Sequence, residues 1–291
     1  MQKEIINLIK TALAEDKVNN DLTTIACGLG NKNCIAEIIA KQEGVLAGIE
    51  ICAEVFNQIN PEINFKPLKK DGEKFKKGEI VAEIKGSAAS ILSGERCALN
   101  FLSFLSGIAA KTNKIVEIIQ RKNERLVPAK AGIKILDTRK TIPGLRAVSK
   151  YAVAIGGGVN HRMNLADGIL IKDNHLKFMS ITDAVKRARL KFGKKYKIEA
   201  ETETLAQVRE AALAGADIIM LDNMTIDMIK MAIRIIDKKA KIEVSGGVTE
   251  EKLKELRKLD IDYISMGSLT NNIKPVDFSL EIMNRGLGTG G

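Results

Sequence analysis

The sequence predicts an α/β protein in two parts, a sheet-rich N-terminal domain followed by an incomplete barrel of the TIM kind. Three observations carry that expectation. From about residue 131 onward, six short apolar runs each end in polar residues, with helix-length stretches between them. Their rhythm is regular: with Asp137, Lys172, Glu201, Asp222, Ser245 and Gly267 as markers, the intervals are 35, 29, 21, 23 and 22 residues, each long enough for one crossover helix. The first hundred residues instead show short strand-like segments punctuated by glycine.

In chain order, residues 2–15 set apolar side chains at helical spacing among charges, and a second helix is expected at about 50–57. Around it, "CIAEIIAKQEGVLAGIE" and "KKDGEKFKKGEIVAEIKG" read as strands joined by glycine turns. The second stretch also resembles carrier folds for lipoyl or biotinyl groups, but no lysine sits at a hairpin tip within the expected motif, so a carrier role is set aside. "GERCALNFLSFLSGIAAKTNKIVEIIQRK" places Leu99, Leu102, Leu105, Ala109, Val116 and Ile119 three and four apart, the pattern of a long amphipathic connector helix. The domains are therefore drawn at 1–110, to which the C-terminal segment 275–291 can be added, and 111–274. The six strands lie in "IKILD", "DGILIK", "YKIEAETE", "ADIIMLD", "AKIEVS" and "IDYISMG". "LRAVSKYAVA" and "TLAQVREAALAGA" have helix character, the latter with Gly215 as its stop. A barrel is favoured over an open doubly wound sheet because polar residues end nearly every strand, as when all those ends meet on one ligand-binding face. The tail "GLGTGG" resembles a dinucleotide loop only superficially, since no helix follows it, and reads as an unstructured end.

Composition narrows the function. No apolar run approaches the roughly 20 residues of a membrane helix, and the N-terminus lacks the regions of a signal peptide, so a cytoplasmic protein is expected. Cys27, Cys34, Cys52 and Cys97 form no C-x-x-C pair, which argues against a zinc site or redox dithiol and reads as small, mostly buried side chains. The net charge of +10 asks for an anionic partner. Positions 121, 122, 125, 130, 134, 139, 140, 146 and 150 are all Lys or Arg, against only Glu124 and Asp137 in that stretch. Nucleic acid is one candidate, yet aromatics are 4% and Trp is absent, so stacking and base readout lack their usual residues. A phosphorylated small molecule fits better.

The cations gather at strand ends. Arg139 and Lys140 follow the first barrel strand, His161 and Arg162 precede the second, and Lys172 and His175 follow it. Two separated imidazoles do not make a zinc site. Arginine forks grip carboxylates and phosphates at two points while lysine supplies a movable charge, so the pocket suits an anion carrying more than one such group. Gly156, Gly157 and Gly158 have two readings, a helix stop or a loop whose backbone approaches a ligand. Glu199, Glu201 and Asp222 bring the opposite sign, suited to Mg²⁺ or sugar hydroxyls, and strand alternation puts both glutamates on one side without choosing between them. "VSGG" and "SMGS" end the last two strands as candidate phosphate loops.

"LDTRKTIPGLR", "KYAVAIGGGVNHRMNLADGILIKDNH", "IEAETET", "AGADIIMLDN" and "SGG", in that order, resemble the motif series of the quinolinate phosphoribosyltransferase family, also called nicotinate-nucleotide pyrophosphorylases (carboxylating). "EDKVNNDLTT" and "LSGERCALNFLSFLSGIA" extend the resemblance toward the N-terminus. It implies an N-terminal α/β sandwich, an incomplete α/β barrel, and a homodimer with a shared active site, open to higher assembly. It implies the reaction as well: quinolinate and phosphoribosyl pyrophosphate give nicotinate mononucleotide, pyrophosphate and CO₂ in de novo NAD synthesis, with Mg²⁺ as cofactor. Position by position, Arg139, His161, Arg162 and Lys172 would surround quinolinate with Thr138 and Lys140 nearby, and Arg96, otherwise a surface cation, would reach in from the neighbouring subunit. Glu201, rather than Glu199, and Asp222 would face the ribose and Mg²⁺, directly or through water. Ser245, Gly246, Gly247, Met266, Gly267 and Ser268 would hold phosphate, and Lys140, Lys172, Glu201 and Asp222 would be catalytic. One departure is visible: Asn271 stands where family members often carry His, which removes a cation from the phosphate end. A nicotinate-using or molybdenum-associated relative, a nucleic-acid binder and a regulatory barrel that binds without turnover are the rival readings.

Overall fold

The computed structural model of the chain describes residues 2–120 and 132–283. The cations at 121, 122, 125 and 130 and the tail "GLGTGG" lie outside the described residues. The chain begins with α1 (Lys3–Glu15), α2 (Leu22–Ala26), β1 (Asn33–Ala40), β2 (Gly44–Val45), α3 (Ile49–Ile59), β3 (Asn64–Pro67), β4 (Lys74–Phe75), β5 (Ile80–Ser87) and α4 (Ala88–Gln120). Then follow β6 (Lys134–Leu136), α5 (Arg146–Ile155), β7 (Ile169–Ile171), α6 (Ile181–Phe192), β8 (Ile198–Thr202), α7 (Leu205–Ala214) and β9 (Ile218–Asp222). The last elements are α8 (Ile226–Ile236), β10 (Lys241–Ser245), α9 (Glu250–Leu256), β11 (Tyr263–Ser265), α10 (Ser268–Asn271) and β12 (Phe278–Met283). None of the described helices is long and apolar enough to cross a membrane.

Two compact units result: Met1–Asn113, Thr141–Gly157 and Thr270–Gly291 form one, Lys114–Lys140 and Gly158–Leu269 the other. In the first, a four-stranded antiparallel sheet runs in the order β12-β1-β5-β3. Alternation along β1 buries Ala36, Ile38 and Ala40 on one side, and helices close the core with Ile5, Ile9 and Leu13 of α1 and Val55 and Phe56 of α3. Each large side chain so buried removes apolar surface worth about 1.5–3 kcal/mol. The segment 141–157 packs with this unit: α5 buries Val148, Ala152 and Val153, and the Tyr151 hydroxyl donates to Asp71. At the end of α5, a methyl group on Gly156 would lie 2.5 Å from the carbonyl oxygen of Ala109 on α4, and Gly157 turns the chain at φ 89°. Gly156 and Gly157 realise the helix-stop reading of the glycine run.

In the second unit all six anticipated strands are present and parallel, in the order β6-β11-β10-β9-β8-β7. Among the described residues β6 and β7 are not paired, so the sheet stays an unclosed barrel. The strand-to-helix turns after β7, β8, β9 and β10 each end in a hydroxyl N-cap. Ser180, Thr204, Thr225 and Thr249 accept from the backbone N–H of Asp183, Gln207, Met228 and Lys252, and Gln207 completes a capping box. Gly215, at φ 80°, stops α7 as its sequence position suggests. Cys52 and Cys97 are buried, but Cys34 is only half-buried and Cys27 exposed, which corrects the expectation for the last two; no disulfide links them.

Candidate active site

Because every strand of the second unit runs the same way, the residues that follow β6 to β11 gather at one end of the sheet. Thr138, Arg139 and Lys140 leave β6; Val159 bridges to Leu136 of that strand and sets His161 and Arg162 beside it. Lys172 leaves β7, Glu199 and Glu201 stand on β8, Asp222 ends β9 and Ser245 ends β10. Met266, Gly267 and Ser268 leave β11, and the Met266 N–H donates to the Leu136 carbonyl, tying the two strand ends together.

Arg139 and Arg162 are close enough to repel. Burial, then the charge of Arg139, draws the Arg162 guanidinium below the usual arginine range, with Glu199 opposing. The Arg162 guanidinium is braced through Nη1 to the Gly168 carbonyl at 2.9 Å, while Arg139 Nε is buried with no hydrogen-bond partner. Two arginines held together against their mutual repulsion create a place where anions are favoured. Lys172 Nζ stands 3.3 Å from Glu201 Oε2. Burial raises the Glu201 pKa, Lys172 opposes, and Asp222 adds to the rise. Glu201 and Asp222 thus feel one another at the ends of adjacent strands. Both offer oxygen only, the donor set that hard divalent cations prefer, so the pair fits Mg²⁺.

The opposite corner is built from backbone. Gly246 and Gly247 take φ of 79° and 55°, and a methyl group on Gly246 would sit 2.2 Å from Asn223 Oδ1, so that position admits no side chain. Asn223, itself at φ 54°, donates from its backbone to the Ser245 carbonyl and from Nδ2 to Asp222 Oδ2 at 2.9 Å. The Lys140 side chain lies over Gly267, and its backbone N–H donates to Thr138 Oγ1. Lys252 Nζ reaches the Gly246 carbonyl at 3.5 Å; burial lowers its pKa and Asp222 pulls it back. Asn271 is exposed at the end of α10.

The carboxylates beside His161 are Glu199 and Glu243. His161 Nε2 lies 3.1 Å from Glu199 Oε2 and 3.8 Å from Glu243 Oε1, both buried. Its backbone N–H donates to Asp137 Oδ1, and the Arg162 N–H donates to its Nδ1 at 2.7 Å. His175 likewise accepts the Lys172 N–H at Nδ1. Arg96 belongs to the first unit, exposed on α4, where with Glu15, Asp16, Phe101, Phe104 and Val148 it lines a cavity of about 520 Å³. Glu243, Asn223 and Lys252 went unremarked in the sequence. Glu243 lies two residues from Ser245 in a strand whose inward side was already fixed by alternation, and that was the available signal. Lys252 sits in "TEEKLKEL", a stretch indistinguishable from a solvated helix start.

Comparison with known proteins gives two matches to family models: residues 21–106 to the quinolinate phosphoribosyl transferase N-terminal domain, and 108–281 to its C-terminal domain. A probable nicotinate-nucleotide pyrophosphorylase [carboxylating] of Bacillus subtilis is 42% identical, covering 96% of this chain and 93% of its own. One of the same name from Methanocaldococcus jannaschii is 39% identical over 96% of this chain and 97% of its own. The crystal structure of NadC from Streptococcus pyogenes superposes with a TM-score of 0.89 at 41% identity, covering 98% of this chain and 99% of that one.

Proposed function

The chain belongs to the quinolinate phosphoribosyltransferase family, and on that premise we propose how its own residues carry the transfer of phosphoribosyl from phosphoribosyl pyrophosphate to quinolinate. The reaction yields nicotinate mononucleotide, pyrophosphate and CO₂. The observation that carries the assignment of roles is the Arg139–Arg162 pair, two guanidiniums held together in a half-buried pocket with the ammonium of Lys172 at the end of the neighbouring β7. Quinolinate brings two adjacent carboxylates, which is the charge and spacing that two forks and a lysine would neutralise. His161 stands beside them.

Ser245, Gly246, Gly247, Met266, Gly267 and Ser268 form the phosphate end, with Lys140 over Gly267 supplying charge. Glu201 and Asp222 would face the ribose and hold Mg²⁺, directly or through water. When bound, that ion would offset the repulsion felt by Glu201 and neutralise charge on the pyrophosphate that leaves. The protein holds the pyridine nitrogen in line with the ribose anomeric carbon as the carbon–oxygen bond to pyrophosphate breaks. Fixed charge stabilises the oxocarbenium-like state, and no amino-acid nucleophile is required. The new carbon–nitrogen bond leaves the ring nitrogen cationic, and that charge stabilises the electron pair left on the adjacent ring carbon when its carboxylate departs as CO₂. A proton then replaces that carboxylate on the ring. Arg96 of a neighbouring subunit completes the pocket in a homodimer.

The test is turnover of phosphoribosyl pyrophosphate and Mg²⁺ with quinolinate or nicotinate, following mononucleotide and CO₂. Product from quinolinate alone is expected, and product from nicotinate alone would reassign the substrate. Arg139→Ala is expected to abolish turnover with an unchanged circular dichroism spectrum, and near-normal activity in that variant would sink the assignment of the carboxylate pocket.

A further inference from the structure

The interior of a parallel barrel is ordinarily filled by branched apolar side chains, yet this one buries two carboxylates, Glu199 on β8 and Glu243 on β10. Neither has a place in the transfer chemistry. Their side chains are only 7% and 1% exposed, and both face the imidazole of His161, so three groups whose ligand atoms lie within 4.8 Å of one another sit beneath the anion pocket. A His and two carboxylates at that separation would ordinarily suggest a metal centre. The hydrogen bonding argues against one. A neutral imidazole carries a single proton, and Nδ1 of His161 accepts the Arg162 N–H at 2.7 Å, an arrangement that favours the proton on Nε2. A nitrogen that bears a proton cannot ligate a metal, and an imidazolium would set an N–H against the Arg162 N–H.

We infer that Glu199 is a positioning residue: it fixes His161 as its Nε2–H tautomer, so that Nδ1 holds the Arg162 backbone and keeps that guanidinium beside Arg139. Glu199 takes the Nε2 proton at 3.1 Å. Burial, with the Glu199 carboxylate beside it, raises the Glu243 pKa, and at 3.8 Å from Nε2 Glu243 lies beyond hydrogen-bond reach, so it does not compete. The backbone of His161 is pinned separately by Asp137 Oδ1 at 2.9 Å. Such a brace has work to do, because Arg139 and Arg162 repel in the absence of substrate and a free loop would let them part. This is the same logic by which an outer carboxylate fixes the tautomer of a ligating histidine, applied here to an arginine's backbone.

The inference rests on the quinolinate reading of the pocket, and the tests separate the two. The first needs no substrate and no variant beyond an assignment control. With two histidines in the chain, long-range ¹H–¹⁵N spectra of ¹⁵N-histidine-labelled protein resolve both rings, and the pair of signals lost in His161→Asn identifies His161. An Nε2–H pattern is expected; an Nδ1–H or imidazolium pattern at pH 7 overturns the inference. Second, Glu199→Leu is expected to abolish that pattern and raise the KM for quinolinate on the order of tenfold, leaving the KM for phosphoribosyl pyrophosphate unchanged. Glu199→Gln keeps an acceptor and is expected to restore both. An unchanged quinolinate KM in Glu199→Leu overturns the inference, whatever the spectrum shows. Should Glu199→Leu not fold, a third comparison decides: His161→Asn keeps an acceptor near the Nδ1 position and is expected to lose less quinolinate affinity than His161→Leu, and equal losses count against the inference. A wild-type protein inactive on quinolinate would fail the functional reading, and the tautomer would then decide the brace by itself.

Discussion

Lys252 shows what single residues contribute beyond the recognisable motifs. Its ammonium stands 3.5 Å from the Gly246 carbonyl and feels the charge of Asp222, which places it at the backbone loop assigned to phosphate. Gly246 can carry no side chain there and Asn271 no charge, so a cation at that corner has to come from elsewhere in the chain. Lys252→Met is expected to raise the KM for phosphoribosyl pyrophosphate on the order of tenfold while the KM for quinolinate holds, measured by initial rates with each substrate varied in turn. Equal changes in both constants would mean that Lys252 supports the fold and not the phosphate. Legibility at this scale followed chemistry. Arg139, Lys172 and Asp222 stood out because charges at the ends of apolar strands have few structural excuses, whereas Glu201 was separated from Glu199 only by the family resemblance. Glu243 and Lys252 did not: Lys252 is one of two lysines inside "EEKLKEL" with nothing local to single it out, the alternation of Glu243 with Ser245 inside "KIEVS" gives only its side of the strand, and the fold brings both to the site.

At the scale of elements, periodicity served where an element packs against its sequence neighbours and failed where it packs elsewhere. The strands β6 to β11 recur at the spacing one crossover helix needs, and hydroxyl caps before α6 to α9 mark where each helix starts. The destination of α5 could not be read that way, because an amphipathic helix states that it has a buried face but not what covers it. The answer lies in a glycine: α5 ends on Gly156, whose added methyl would sit 2.5 Å from the Ala109 carbonyl oxygen and 2.7 Å from Cβ of Thr112. Backbone atoms of α4 cannot yield as a flexible side chain would. Gly156→Ala is therefore expected to cost about 1–3 kcal/mol, seen as a lower midpoint of urea unfolding with an unchanged m-value. A variant with the parent midpoint would show that α5 does not depend on this close approach.

For the whole molecule, the open question is whether one chain suffices. The cations proposed to hold anions lie in both units, Arg139 and Arg162 in one and Arg96 in the other, exposed on α4 beside Glu15 and Asp16. If Arg96 serves a neighbouring subunit, its loss and the loss of Arg139 damage the same site from two different chains. Arg96→Ala and Arg139→Ala would each be inactive alone. Dissociated, mixed in equal amounts and reassociated, they would form hybrids in half of the dimers. Each hybrid carries one site with both defects and one with neither, so the mixture is expected to regain about a quarter of wild-type activity. A site built within a single chain predicts no recovery at any mixing ratio, since every site would keep one defect. The net charge of +10 supplies an internal control: charge steering of anionic substrates weakens as salt is raised, so the recovered activity should fall with ionic strength in parallel with the wild type. Recovery that vanishes when the two variants are mixed without prior dissociation would tie the effect to subunit exchange, leaving the shared site as its source.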